Sequence, residues 1–126
     1  MAVELNHTIV KVRDKVASAE FYQQVLGLDE VTAWGPFTEV SFANNAVLAF
    51  MEEDEFLPQH YAFLVSEEEF DGIQRRIVQR GLTYWGDPGR RMVNEINRED
   101  GGRGLYWEDP DGHFLEIITR PYGSGD

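Results

Sequence analysis

Cysteine is absent from this chain, which rules out disulfides, thiolate metal ligands and a cysteine nucleophile. The absence fits a reducing compartment, and a cytoplasmic location is expected. Basic residues are also scarce: 11 Lys and Arg stand against 23 Asp and Glu, a formal net charge of −12. Such a surface repels nucleic-acid phosphates and anionic lipid headgroups, so neither is expected as a partner. No apolar run approaches the ~18 residues that a membrane-spanning helix needs. The opening "MAVELNHTIVKV" lacks the charged start, apolar stretch and cleavage site of a signal peptide, so none is expected. What is present is 126 residues with 42% hydrophobic and 13% aromatic content, enough for one compact domain with a real core.

The pattern along the chain alternates strands and helices. Residues 4–12, "ELNHTIVKV", read as a strand, and Asp14 can cap a helix over "KVASAEFYQQVLG". Ala17, Phe21, Val25 and Leu28 fall on one face of that helix at helical spacing, and Gly27 is a natural stop. Strand signals follow at "DEVTAW", "FTEVSFA" and "AVLAFME", the last two joined by Asn44-Asn45, a pair that tolerates a tight hairpin turn. "HYAFLV" then reads as a strand and Ser66 with Glu69 as a capping box. The next helix, "EEEFDGIQRRIVQRG", carries Phe70, Ile73 and Ile77 on one face and ends at Gly81. "LTYWGD", a long irregular segment, "GLYWED", a "DPDG" turn and "HFLEIIT" complete the chain.

The two halves repeat one plan. Gly27 lies 20 positions after His7, and Gly81 lies 21 after His60. "NNAVLAF" aligns with "DGHFLEI", turn on turn. We therefore expect an α+β fold of two βαβββ modules, about 1–52 and 53–126, within a single domain spanning 1–126. His7 and His60 occupy equivalent places at the head of each module's first strand. Alternation along the last strand sends Phe114, Glu116 and Ile118 one way, which leaves Glu116 as a carboxylate among apolar neighbours. An isolated buried carboxylate is costly unless it is paired, protonated or bound to a metal. Ala49 stands at the aligned position of the first module, so the architecture does not demand an acid there.

Two histidines and a carboxylate on different strands form a common set for a divalent ion with open coordination positions. Taken singly, each histidine reads as readily as a hydrogen-bonded structural residue, and Glu116 as half of an ion pair. Their matched placement favours the joint reading. His113 follows the "DPDG" turn at odd spacing from Glu116 and is expected to be structural or solvent-facing.

The segments "NHTIVKVRDKVASAEFYQQVLGL", "HYAFLV" and "LYWEDPDGHFLEI" resemble the vicinal oxygen chelate superfamily, which includes glyoxalase I, extradiol dioxygenases, fosfomycin-resistance enzymes and bleomycin-binding proteins. The resemblance implies paired βαβββ modules in a cupped mixed sheet, and a module-swapped homodimer with shared metal sites. It also implies His7, His60 and Glu116 as ligands of a divalent metal, through which they would be catalytic. Fe(II) is the favoured metal, with Mn, Ni, Co and Zn as alternatives.

The loop "GDPGRRMVNEINREDGGRG" is long for so small a domain and is expected to be functional or mobile. It supplies Arg90, Arg91, Asn94, Asn97 and Arg103 as candidate contacts to substrate oxygens, while Trp34, Trp85 and Tyr106 are candidate walls for a flat aromatic. With "DPDGHFLEIITRPYG", this loop resembles the subgroup around the chartreusin-biosynthesis oxidase. By that similarity the chain is expected to be a metal-dependent dioxygenase or oxidase, cleaving or rearranging carbon–carbon bonds of a small aromatic, polyketide-like molecule with dioxygen. The alternatives are a fosfomycin-resistance-type thiol transferase or hydrolase, and a non-catalytic protein that binds an aromatic metabolite. No dinucleotide-binding glycine fingerprint occurs, so a tightly bound flavin is not indicated. Isomerisation of the glyoxalase I kind is less expected, because Ala49 and its neighbours offer no further ligand in register.

Overall fold

The computed structural model describes residues 2–125. The chain divides into two compact units, residues 1–57 and 58–126. Each unit runs strand, helix, then three strands, and the second adds a short 3-10 helix, Glu99–Gly101, ahead of its last two strands.

In the first unit, β1 (His7–Val12) leads into α1 (Lys15–Leu26), followed by β2 (Thr32–Trp34), β3 (Phe37–Ser41) and β4 (Val47–Glu52). The strand order is β1-β4-β3-β2, with β1 and β4 parallel and the others antiparallel. Asp14 caps α1 by accepting the Ala17 amide at 3.0 Å, and Gly27 closes it at φ 73°. The buried face of α1 is Ser18, Ala19, Tyr22 and Val25. This corrects the expected face: Val25 belongs to it, but Ala17 is exposed and Phe21 and Leu28 are only half-buried. Apolar residues lie almost all round this helix, so its periodicity does not select one side. The sheet selects it, by placing Tyr22 against Phe50 with ring centroids 4.8 Å apart. The first strand begins at His7 rather than residue 4, where pairing with β4 starts.

In the second unit, β5 (His60–Leu64), α2 (Glu67–Gln79), β6 (Tyr84–Trp85), β7 (Gly104–Glu108) and β8 (Phe114–Ile118) give the order β5-β8-β7-β6, again with the outer pair β5–β8 parallel. Ser66 and Glu69 form the capping box, and Phe70, Ile73 and Ile77 are buried. Alternation separates two faces of this sheet. Tyr84, Leu105, Trp107, Leu115 and Ile117 are buried on one of them, and Gln74 of α2 donates to the Tyr84 hydroxyl at 3.2 Å. The Trp107 indole N–H is buried there without a hydrogen-bond partner among the described residues, at a cost of about 1–3 kcal/mol. The opposite face carries His60, Phe114, Glu116, Tyr106 and Trp85.

The registers make the duplication concrete. Ile9 pairs with Ala49, and Ala62 pairs with Glu116. His7 and His60 each stand two residues before the first partner, so the two histidines occupy the same node of the two sheets. No helix among the described residues is long and apolar enough to cross a membrane.

Candidate metal centre

His60 and Glu116 meet because β5 and β8 run parallel and the two side chains leave the same face on diagonal positions. The His60 Nδ1–H donates to the Phe114 carbonyl oxygen at 2.8 Å. A carbonyl only accepts, so the proton resides on Nδ1. Nε2 faces Glu116 Oε1 at 3.1 Å. In the neutral ring this sets a lone pair against a carboxylate oxygen. Such a contact is satisfied by a proton on Nε2 or by a cation held between the two groups. Glu116 is only 2% exposed and His60 47%, so the pair opens to solvent from the histidine side.

The other Glu116 oxygen accepts from the Tyr122 hydroxyl, which in turn lies 3.0 Å from the Tyr106 hydroxyl. Burial, and next its bond to Glu116, pushes the Tyr122 hydroxyl well above the ordinary phenol range. Burial likewise raises Tyr106. Both stay protonated, so Tyr122 is a lasting donor that fixes the carboxylate's orientation. Tyr122 has no strand or helix periodicity to announce it; only Pro121, which turns the chain after "IITR", hints that the tail folds back.

His7 repeats the tautomer arrangement in the first unit. Its Nδ1 lies 2.7 Å from Asn6 Oδ1, an acceptor, so Nε2 again keeps the free lone pair. Histidines that ligate metals characteristically have the other ring nitrogen tied in this way. The donor chemistry of His7, His60 and Glu116 therefore fits a borderline divalent cation. Among the described residues no three His, Cys, Asp or Glu side chains gather as a metal set within the chain.

The remaining candidates separate into two groups. Tyr106, Phe114 and Trp85 line one surface beside His60. Tyr106 and Phe114 stack at 5.2 Å, and His60 lies over Tyr106 at 6.0 Å. Of the adjacent pair Tyr106 and Trp107, only Tyr106 takes this face. The Arg90 guanidinium sits 4.1 Å over the Phe114 ring and 5.3 Å over Trp85, and pairs with Glu108 at 3.1 Å. Arg90 adopts φ 59°, a strained left-handed conformation for a residue with a side chain, held because the loop around it is braced. Trp34 is 68% exposed and stacks near Phe37 at an interplanar angle of 14°. It borders a groove of about 260 Å³ in the first unit together with Asn6, His7, Phe37 and Glu39, floored by Val47 and Ala49. Glu39 went unnoticed in the sequence because its alternating neighbours look like any half-exposed strand.

The second group works inside the loop. Asn94 Oδ1 accepts the Tyr84 amide at 3.2 Å, and Asn97 donates to the Gly86 carbonyl at 2.8 Å while accepting from Glu99 N. Asp87 accepts the amides of Arg91 and Met92. Arg91 itself is exposed. The segment is thus braced by its own hydrogen bonds.

Arg103 is placed away from the aromatic surface. It donates to Glu67 at 2.7 Å and Asp71 at 2.8 Å and stacks over Phe70 at 4.3 Å, tying the start of β7 to α2. Arg103→Met is expected to lower stability by about 0.5–1 kcal/mol, the worth of the ring stack, in urea unfolding. Ligand affinity should stay within about twofold, and a large affinity loss at unchanged stability would return Arg103 to the binding surface.

His113 is fully buried rather than solvent-facing. Its Nδ1 accepts the Gln59 amide at 2.9 Å, and its own amide donates to Asp109. It fixes the residue immediately before His60 against the start of β8, a structural task that also registers His60 against Glu116.

Residues 4–117 match the family model described as Glyoxalase/Bleomycin resistance protein/Dioxygenase superfamily. The chain is similar in structure to a protein titled Oxidase ChaP-H2, at 56% identity and a TM-score of 0.97, with both chains covered in full. Oxidase ChaP-H1 is 57% identical over 97% of this chain and 99% of its own, at a TM-score of 0.94. Among curated proteins, the glutathione transferase FosA of Serratia marcescens is 32% identical over 93% of this chain and 81% of its own length. Fold, repeated topology and sequence thus agree, and the chain belongs to the glyoxalase/bleomycin resistance/dioxygenase superfamily, the vicinal oxygen chelate fold.

Proposed function

We propose that this chain is a metal-dependent oxidase that uses dioxygen to cleave or rearrange a carbon–carbon bond in an aromatic, polyketide-like substrate. The carrying observation is His60 Nε2 set 3.1 Å from the buried Glu116 carboxylate, with Nδ1 already committed to a backbone carbonyl. The similarity to two proteins titled oxidases at 56% and 57% identity supports the reaction class. His60 and Glu116 hold the ion together with His7, and Fe(II) is the favoured metal. A homodimer that exchanges units would supply His7 from a second copy. When bound, the ion supplies Lewis acidity that eases loss of a phenol or enol proton.

The chain's own groups do the rest. Tyr122 keeps Glu116 oriented. Tyr106, Phe114 and Trp85 offer flat faces to an aromatic ring. Arg90, stacked on Phe114 and half-exposed, presents guanidinium N–H groups to an anionic oxygen. A second reading, thiol transfer to an epoxide such as fosfomycin, rests on the 32% identity to the glutathione transferase FosA.

One set of assays separates these readings. Protein loaded with Fe(II) should consume dioxygen in the presence of hydroxylated polycyclic aromatics and yield an oxygenated or ring-opened product by mass spectrometry. Chelator-treated protein should consume about a hundredfold less. Consumption of glutathione with fosfomycin and none of dioxygen would support the transferase instead. Tight ligand binding with no chemical change under either condition would identify a binding protein.

A further inference from the structure

The open face of the first unit's sheet carries an acid that nothing so far explains. Glu39 stands on β3 between Thr38 and Val40, which are 4% and 1% exposed on the helix side, so its side chain leaves the opposite face into the groove. Its cross-strand partner is Ala49, whose methyl group leaves the neighbouring space unfilled. Among the described residues the Glu39 side chain has neither a hydrogen bond nor an ion pair, and a half-buried carboxylate in that state costs free energy. In the second unit the acid sits on the last strand, at Glu116; here it has moved one strand across, away from the ligand node.

The groove's other walls narrow the choice of occupant. Trp34 and Phe37 lie within 14° of parallel, a flat platform rather than the steeply angled rings that cage a cation. His7 Nδ1 is occupied by Asn6, which leaves Glu39 as the carboxylate acceptor in the groove. At about 260 Å³ the space is near the lower end of ordinary ligand pockets and suits one or two fused rings.

We propose that the groove binds a planar hydroxyaromatic, stacked on Trp34 and Phe37, with Glu39 accepting the hydrogen bond of its hydroxyl. Glu39 is then a specificity residue that selects a free phenol over its ether. The inference rests on the aromatic-substrate reading above and sharpens it. The groove holds the hydroxylated ring, and Glu39 belongs to substrate recognition rather than to the metal set.

Binding of 2-naphthol and 2-methoxynaphthalene to the full-length, metal-loaded protein tests it by calorimetry or fluorescence. Wild type should bind the naphthol at least tenfold tighter than the ether, since a hydrogen bond to a charged acceptor is strong. Glu39→Leu should reduce that ratio to about one with metal content unchanged. Glu39→Gln, which keeps an acceptor oxygen, should retain a few-fold preference. Trp34→Ala should weaken both ligands together. The proposal is overturned if Glu39→Leu keeps the wild-type ratio, or if benzyltrimethylammonium binds tighter than naphthol and loses that advantage in the same variant. The oxidase reading fails separately, if dioxygen uptake survives loss of Glu116.

Discussion

Glu116→Ala should abolish stoichiometric metal binding and lower dioxygen uptake by about 10²–10³-fold. The magnitude follows from charge stabilisation worth about 3–4 kcal/mol, at about 1.4 kcal/mol per factor of ten. Glu116 is the buried carboxylate that faces His60, and without it the neutral imidazoles of the proposed set hold a divalent ion poorly. The metal-free variant should melt within a few degrees of metal-free wild type, because removing a buried carboxylate also removes its desolvation cost. The stabilisation that wild type gains on adding metal should vanish. Undiminished metal content, by elemental analysis, would remove Glu116 from the set.

The same variant tests whether sites are shared between copies. Mixed dimers of His7→Ala and Glu116→Ala chains hold one intact site if His7 acts across the dimer, and none if each chain builds its own. Recovery of about half the wild-type uptake per mixed dimer is therefore expected. Recovery at background level would place all three ligands in one chain.

Phe70→Ala should destabilise the protein by about 3–5 kcal/mol, lowering the melting temperature by about 10–20 °C. Phe70 is fully buried on α2, and its ring also carries the Arg103 guanidinium at 4.3 Å. Truncation removes a large apolar side chain and leaves a cavity beneath a charge that then lacks its platform. Urea unfolding at constant slope would give the value, and a loss below about 1 kcal/mol would mean that α2 is held mainly by its cap and ion pairs. The metal affinity of the folded variant should be close to wild type, since Phe70 belongs to the helix and the His60–Glu116 pair to the sheet's other face.

The proposed ligands stand out in the sequence for a physical reason: Glu116 interrupts an apolar strand, and the histidines recur at matching nodes of a repeated topology. The Asn44-Asn45 turn was equally plain, since Asn45 takes φ 69° as a tight hairpin requires. The loop between residues 86 and 104 was harder. Asn94, Asn97 and Arg103 have the chemistry of ligand contacts, but the same chemistry satisfies the backbone of a long segment packed on a small domain. Which use prevails depends on partners distant in the chain, as with Glu67 and Asp71 for Arg103. Tyr122 follows the same logic. Its importance comes from where the tail folds, and nothing in "RPYGSG" encodes that the hydroxyl meets Glu116.

Parallel pairing of the first and last strands also governs the order in which the site comes into being. His60 and Glu116 are 56 residues apart, and they meet only when β5 closes onto β8, after the local β7–β8 hairpin is available as a template. Closing so long a loop carries its entropy penalty before any contact returns it, which makes this pairing a late event in folding. A ligand that requires both side chains can slow the unfolding of the finished protein, yet it cannot act as a nucleus for the chain that is still assembling.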